Sequence, residues 1–177
     1  MKDKITLPGI GCRYTLPVTL ALVAALEEKT TVMKAAEQLV ARQMKLSEML
    51  EHLRGCYRLA GCDTPSDALD AHLLTQSPAL LLAEILCAVL APASAMGAIK
   101  LGEAKESDCR RIDITSLRRF FMGVLGWTPD TLRHAGLPDL CDAYLGHAAW
   151  HGIAPAATPT KEFMAAMLQQ FPDRKGQ

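Results

Sequence analysis

The chain has few aromatics, no net charge, no closely paired cysteines and an apolar run that reads as too short for a bilayer, and each shortage narrows what it can be. Only 5% of its residues are Phe, Trp or Tyr, although 50% are hydrophobic. Leu, Ala and Met therefore carry the apolar content. These residues lose little rotamer freedom in a helix, whereas strands are built mainly from Val, Ile, Tyr and Phe. The 19 basic and 19 acidic side chains cancel. A dedicated nucleic-acid binder gains affinity by neutralising phosphates and shows a basic excess or a basic face. The nearest feature here is Arg110, Arg111, Arg118 and Arg119, read as the solvated flank of a helix.

The N-terminal MKDKITLPGIGC lacks the apolar stretch of a secretory signal. The six cysteines, Cys12, Cys56, Cys62, Cys87, Cys109 and Cys141, include no C-x-x-C pair. Together these point to a cytoplasmic chain with reduced thiols, mostly buried as small apolar side chains.

The most apolar segment is SPALLLAEILCAVLAP, Ser77 to Pro92, whose single charge is Glu84. From Pro78 to Ala91 a helix would be about 14 residues, or about 21 Å at 1.5 Å per residue. A bilayer core asks for about 20 residues, so the segment is not expected to span one. Leu80, Leu81, Leu82, Ile85, Leu86, Val89 and Leu90 make it apolar nearly all round. It reads either as the central core helix of the N-terminal half or, with nearby methionines, as part of a groove for another helix.

Along the 177 residues, room for one ordinary domain or two small ones, helix signals dominate. Two short extended runs, Lys4 to Leu7 and Cys12 to Thr15, flank Pro8, Gly9 and Gly11 and predict a hairpin. Thr15 then caps a helix opening near Pro17, and Thr30 or Thr31 caps the next. Met49, Leu50, Leu53, Cys56, Tyr57 and Ala60 form an amphipathic stripe stopped by Gly61. Thr64-Pro65 and Ser77-Pro78 each supply a cap and a first-turn proline. From Pro92 the pattern dissolves into PASAMGAIKLGEAKESDC, read as a linker. Periodicity returns at Leu117, Phe120, Phe121, Val124 and Leu125. Thr128-Pro129, Pro138 and the run KEFMAAMLQQF start three further helices. The expected architecture is mainly α: a hairpin plus helical module over 1–91, a linker over 92–111, and a second helical module over 112–177.

No chemistry assembles from these residues. There is no G-x-S-x-G elbow and no phosphate-binding glycine run, and Asp139, Asp142 and Glu162 lack the spacing of a paired acid and base. His147 and His151 would share a helix face, which can hold zinc. However, Ala148 stands where an H-E-x-x-H protease has its glutamate, so a solvated or structural pair is the reading. Cys56 and Cys62 read as buried thiols. TTVMKAAEQLVARQMKLSEMLEHLR could be a helix-turn-helix, but Glu48 and Glu51 would face the phosphates, which favours an ordinary helical hairpin. No catalytic residue, cofactor or metal is expected.

Two regions carry a resemblance. ITLPGIGCRYTLPVTLALVAALEE, SEMLEHLRGCYRLAG and the Ala/Leu-rich helix, residues 4 to about 90, resemble the gene-transfer-agent and prophage tail proteins encoded just before the tape measure. LRRFFMGVLGWTPDTLRHAGLPDL and KEFMAAMLQQFPD resemble the small phage tail assembly chaperones encoded next to them. In that family a helix enters an L-x-[LW]-[ST]-P step, a T-P-x-E-L-like step follows, and an apolar helix ends in F-P-D. The matching residues are Gly123, Leu125, Trp127, Thr128, Pro129, Pro138, Asp139, Leu140, Phe171, Pro172 and Asp173. The chain departs from the pattern at Leu132 and Arg133, where an aromatic pair is usual, and at Leu137, where the threonine cap is lost.

The resemblance implies a non-enzymatic tail assembly chaperone. It would coat the aggregation-prone tape measure protein and help recruit tail tube protein, with no nucleic-acid or membrane partner and with homo-oligomerisation left open. The candidate partner contacts are Leu81, Ile85, Leu86, Val89, Trp127, Pro129 and Phe163. The alternative reading is a helical regulatory or DNA-binding protein of a prophage.

Overall fold

The computed structural model describes residues 2–28, 30–96 and 112–153. Strands β1 (Lys4–Pro8) and β2 (Arg13–Pro17) pair antiparallel, with Ile5 opposite Leu16 and Leu7 opposite Tyr14. Ile5, Leu7 and Leu16 are buried while Thr6 and Thr15 are exposed, the alternation of a ribbon with one face on a core. The described helices are α1 (Leu20–Leu26), α2 (Val32–Val40), α3 (Leu46–Leu59), α4 (Ser66–Thr75), α5 (Pro78–Ala95), α6 (Ile114–Gly123), α7 (Pro129–His134) and α8 (Leu137–Trp150). The fold is mainly α with an N-terminal β-hairpin, as the sequence implies.

Local chemistry sets most of the boundaries. The Thr31 hydroxyl accepts from the Lys34 N–H at 3.1 Å and opens α2. Thr128 does the same for α7 through Thr131 N–H, also at 3.1 Å, with Pro129 in the first turn. Asp113 caps α6 through Ser116 N–H at 3.0 Å. Gly61, at φ +79°, ends α3, and the Cys62 N–H reaches back to the Tyr57 carbonyl at 2.9 Å, a Schellman closure.

Several expected boundaries and caps differ: α4 opens at Ser66 with Pro65 rather than Thr64 in the cap position, and the Ser77 side chain makes no cap bond to α5. The helix expected from Pro17 begins only at Leu20, with Thr19 as its cap, because Arg13–Pro17 stays paired with β1. The expected linker begins inside a helix: α5 runs through Pro92 to Ala95, and the Met96 N–H donates to the Pro92 carbonyl at 3.1 Å. An interior proline costs a helix about 3 kcal/mol. Burial of Pro92, Ala93, Ala95 and Met96 offsets that cost. Residues 97–111 of the expected linker lie outside the described residues.

α5 is the centre of the packing. Helices α2, α3, α4 and α8 all contact it, and its side chains Leu82, Ile85, Leu86 and Val89 are fully enclosed. Its outward line carries Glu84, Cys87, Ala88, Ala91 and Ser94, mostly small, with Glu84 bonded to Lys2 Nζ at 2.8 Å. At 18 residues and mean hydropathy 1.9 it is long and apolar enough to cross a membrane by length and composition alone, longer than its sequence suggests. Here its apolar sides are taken up by neighbouring helices.

Residues of both expected modules enter one buried cluster, with Phe121, Leu132, Leu137, Leu140 and Cys141 joining the N-terminal core. The Leu137 N–H donates to the Val18 carbonyl at 2.7 Å, and Ile112 N–H to Glu27 Oε1 at 3.1 Å. The hairpin is fastened by the Pro8 carbonyl, which accepts from the Tyr57 hydroxyl and lies 3.3 Å from His72 Nε2. Arg54 grips Asp70 through both carboxylate oxygens and ties α3 to α4.

Two predictions follow from this framework. A Cβ at Gly9 would stand 2.5 Å from Tyr14 Cε2, and overpacking of this kind costs about 1–3 kcal/mol. Gly9→Ala is therefore expected to lower the denaturation midpoint without changing its slope. The hydrogen bond from Arg54 holds the Asp70 carboxyl below its ordinary 3.8. A carboxyl depressed on folding stabilises the fold above its unfolded pKa and loses that contribution as pH falls through the folded one. Asp70→Asn should cost about 0.5–1 kcal/mol at pH 7, and the gap to wild type should close from pH 4 downward in denaturant titrations.

Candidate interaction surface

The residues proposed from sequence as partner contacts fall into three groups. Leu81 is 7% exposed, and Ile85, Leu86 and Val89 are 0% exposed. All four are core in this fold, so they offer no surface to a partner. The reason is enclosure: a helix apolar on every side finds α2, α3, α4 and α8 to cover it. Trp127 is half-buried, its ring 5.2 Å from that of Phe121 and its backbone N–H on the Phe121 carbonyl at 2.9 Å. Pro129, in the first turn of α7, is exposed. Phe163 lies outside the described residues.

Among the described residues, the exposed large apolar side chains are Ile10, Leu46, Leu59 and Leu74 in the N-terminal part and Met122, Val124, Trp150 and Ile153 on or just after α6 and α8. α6 buries Leu117 and Phe121 and half-buries Phe120, whose ring stacks edge-on against Tyr144 and His147 of α8, both at 5.2 Å. Met122 (40%) and Val124 (56%) are left outside, and beyond α8's buried face Trp150 is 87% and Ile153 55% exposed. A signal for Trp150 exists in the sequence. At about 100° per residue it lies roughly 220° from Leu137 around the helix, nearly opposite the stripe Leu137, Leu140, Cys141 and Ala148.

The other sequence candidates resolve as packing. His147 and His151 stack at 4.3 Å between ring centroids, and among the described residues no group of three or more His, Cys, Asp or Glu could hold a metal ion. Cys56 is buried, and burial pushes its thiol up to about 12. Burial likewise raises the Cys87 and Cys141 thiols. In the segment weighed as a helix-turn-helix, Glu48 and Glu51 are exposed, and Glu48 accepts from the Lys45 N–H at the start of α3. Arg118 and Arg119 are exposed on α6.

No family model, curated protein or solved structure matches this chain.

The two kinds of apolar residue should separate under mutation. Leu86→Ala is expected to cost about 2–5 kcal/mol, the range for truncating an enclosed leucine. Trp150→Ala should stay within about 0.5 kcal/mol, as for a surface position. Chemical denaturation of both variants checks the contrast.

Proposed function

We propose that this protein is a tail assembly chaperone of a phage, prophage or gene transfer agent, binding the tape measure protein and helping to recruit tail tube subunits. The observation that carries the reading is the exposed apolar set Met122, Val124, Trp150 and Ile153, set in the same region as the Trp127-Thr128-Pro129 and Pro138-Asp139-Leu140 steps that resemble the chaperone family. A tape measure presents long apolar helical faces. Covering them with exposed Trp, Val and Met removes area from water at roughly 25 cal/mol per Å². Shallow contacts of this kind also release readily, as displacement by polymerising tube protein requires. The buried side chains of α5 act in this reading as the frame that holds α8 in place.

The test is co-expression with the tape measure protein that this reading expects to be encoded beside this chain, followed by capture on a tagged copy. The neighbour is expected to become soluble and to co-purify. Trp150→Asp and Val124→Lys should abolish both effects while leaving the chain's own Tm within a few degrees of wild type. A neighbour that stays insoluble and uncaptured overturns the assignment. Capture unaffected by these substitutions overturns the surface.

A further inference from the structure

The two histidines at the end of α8 are held more firmly than a helix terminus suggests. His151 follows the last residue of α8, yet its N–H still donates to the His147 carbonyl at 3.1 Å. Gly152, at φ +65°, then turns the chain. Its N–H reaches the Ala149 carbonyl at 3.2 Å, and the Ile153 N–H reaches that of Ala148 at 2.8 Å. This is the closure that also ends α3, and it fixes His151 one turn beyond His147 on the same face of the helix. The His147 ring is half-buried and stands edge-on to Phe120 at 5.2 Å. The His151 ring is exposed and tilted 47° to it, with the two centroids 4.3 Å apart.

We propose that His147 and His151 form a two-imidazole chelate for a divalent transition-metal ion of the zinc class, at the C-terminal end of α8.

The spacing suits a shared ion. Zinc binds an imidazole nitrogen at about 2.0–2.1 Å, and two rings at right angles about one ion have their centroids about 4.5 Å apart. The rings of this pair are already close to that separation. Phe120 holds the His147 ring in place, while the exposed His151 ring can turn a nitrogen toward the same ion. Charge favours a cation here as well. Over Leu137–Trp150 the only formal charges are Asp139 and Asp142, with no Lys or Arg, and the last turn of a helix carries the negative end of its dipole. Imidazole selects zinc, copper or nickel, whereas magnesium and calcium prefer oxygen ligands. Among the described residues no third His, Cys, Asp or Glu joins the pair, so water fills the ion's remaining positions and the ion stays exchangeable, unlike one in a closed four-ligand site. The chelate is a binding site without hydrolytic chemistry, because Ala148 stands where a zinc protease has its base.

The experiment uses the full chain without a histidine tag, titrated calorimetrically with zinc chloride and nickel chloride, with magnesium chloride as the oxygen-preferring control. One zinc or nickel ion per chain is expected, and no binding of magnesium. His147→Ala and His151→Ala should each weaken binding about tenfold or more, since each removes one of two ligands. His151 is exposed, so its variant should keep the wild-type Tm and separate lost binding from lost folding. His134→Ala and Cys12→Ser, which remove an exposed imidazole and an exposed thiol elsewhere, should leave the isotherm unchanged. Absence of zinc binding, an isotherm unaffected by His151→Ala, magnesium bound as tightly as zinc, or half an ion per chain with a doubled mass would overturn the proposal.

Discussion

A helix that is apolar on every side cannot rest on a surface, so the rest of the chain has to be arranged around it. α5 sets that requirement. Enclosing Leu82, Ile85, Leu86 and Val89 contributes about 1.5–3 kcal/mol for each side chain taken from water, and no single neighbouring helix can reach more than one side. Helices α2, α3 and α4 come from the N-terminal part of the chain and α8 from beyond residue 111. The demand for cover thus draws two stretches of sequence, separated by a run with little periodicity, into one core. The side facing water is resolved differently: a line of alanines, Cys87 and Ser94, with Glu84 as its charge.

Around that core the hairpin is a dependent element. Two strands alone are marginal in water, and this pair is held from outside by the Tyr57 hydroxyl on the Pro8 carbonyl, by His72 close to the same oxygen, and by Ile5, Leu7 and Leu16 sunk into the helices. The Tyr14–Gly9 closure then fixes the turn over the end of α3. A ribbon fastened by one carbonyl and one aromatic edge is where small chemical changes have mechanical effect. The geometry of α5, by contrast, is insulated from solvent chemistry by its burial.

What could be read from the sequence was chemistry that acts over three or four residues. The caps at Thr31 and Thr128, the stop at Gly61 and the alternation in the hairpin depend on near neighbours, and the structure follows them. Where the outcome depends on distant partners, the local signal falls short. Pro92 looks like a terminator until the burial of Ala93 and Met96 is known, and Pro17 looks like a first-turn residue until β1 claims it. The apolar stretch of α5 is legible as a helix, and its sequence leaves core helix and partner groove both open, because composition alone does not say how many neighbours will arrive. The hydrophobicity that makes Leu81, Ile85, Leu86 and Val89 candidate contacts is the property that encloses them. The angular position of Trp150 on α8 sets it apart from the buried stripe, a signal the hydrophobic pattern alone does not weigh.

That contrast bears on how a chaperone surface can be built at all. A residue can bind a partner reversibly only if the fold does not already consume it, so the useful apolar groups are those left over when the core is satisfied. Met122 and Val124 follow the buried turn of α6, and Trp150 and Ile153 follow the buried turn of α8. The two helices are locked together one turn earlier by Phe120 against Tyr144 and His147. The aromatic contact orients the exposed groups without covering them. An indole held on a fixed helix loses little conformational freedom on binding, which lowers the ordering cost of an interface. Burying one face of it is also a modest gain that a competing partner can replace. On the proposed reading, the core around α5 supplies rigidity and the helix ends supply contact, and the two roles fall on different residues because a single side chain cannot be both enclosed and available.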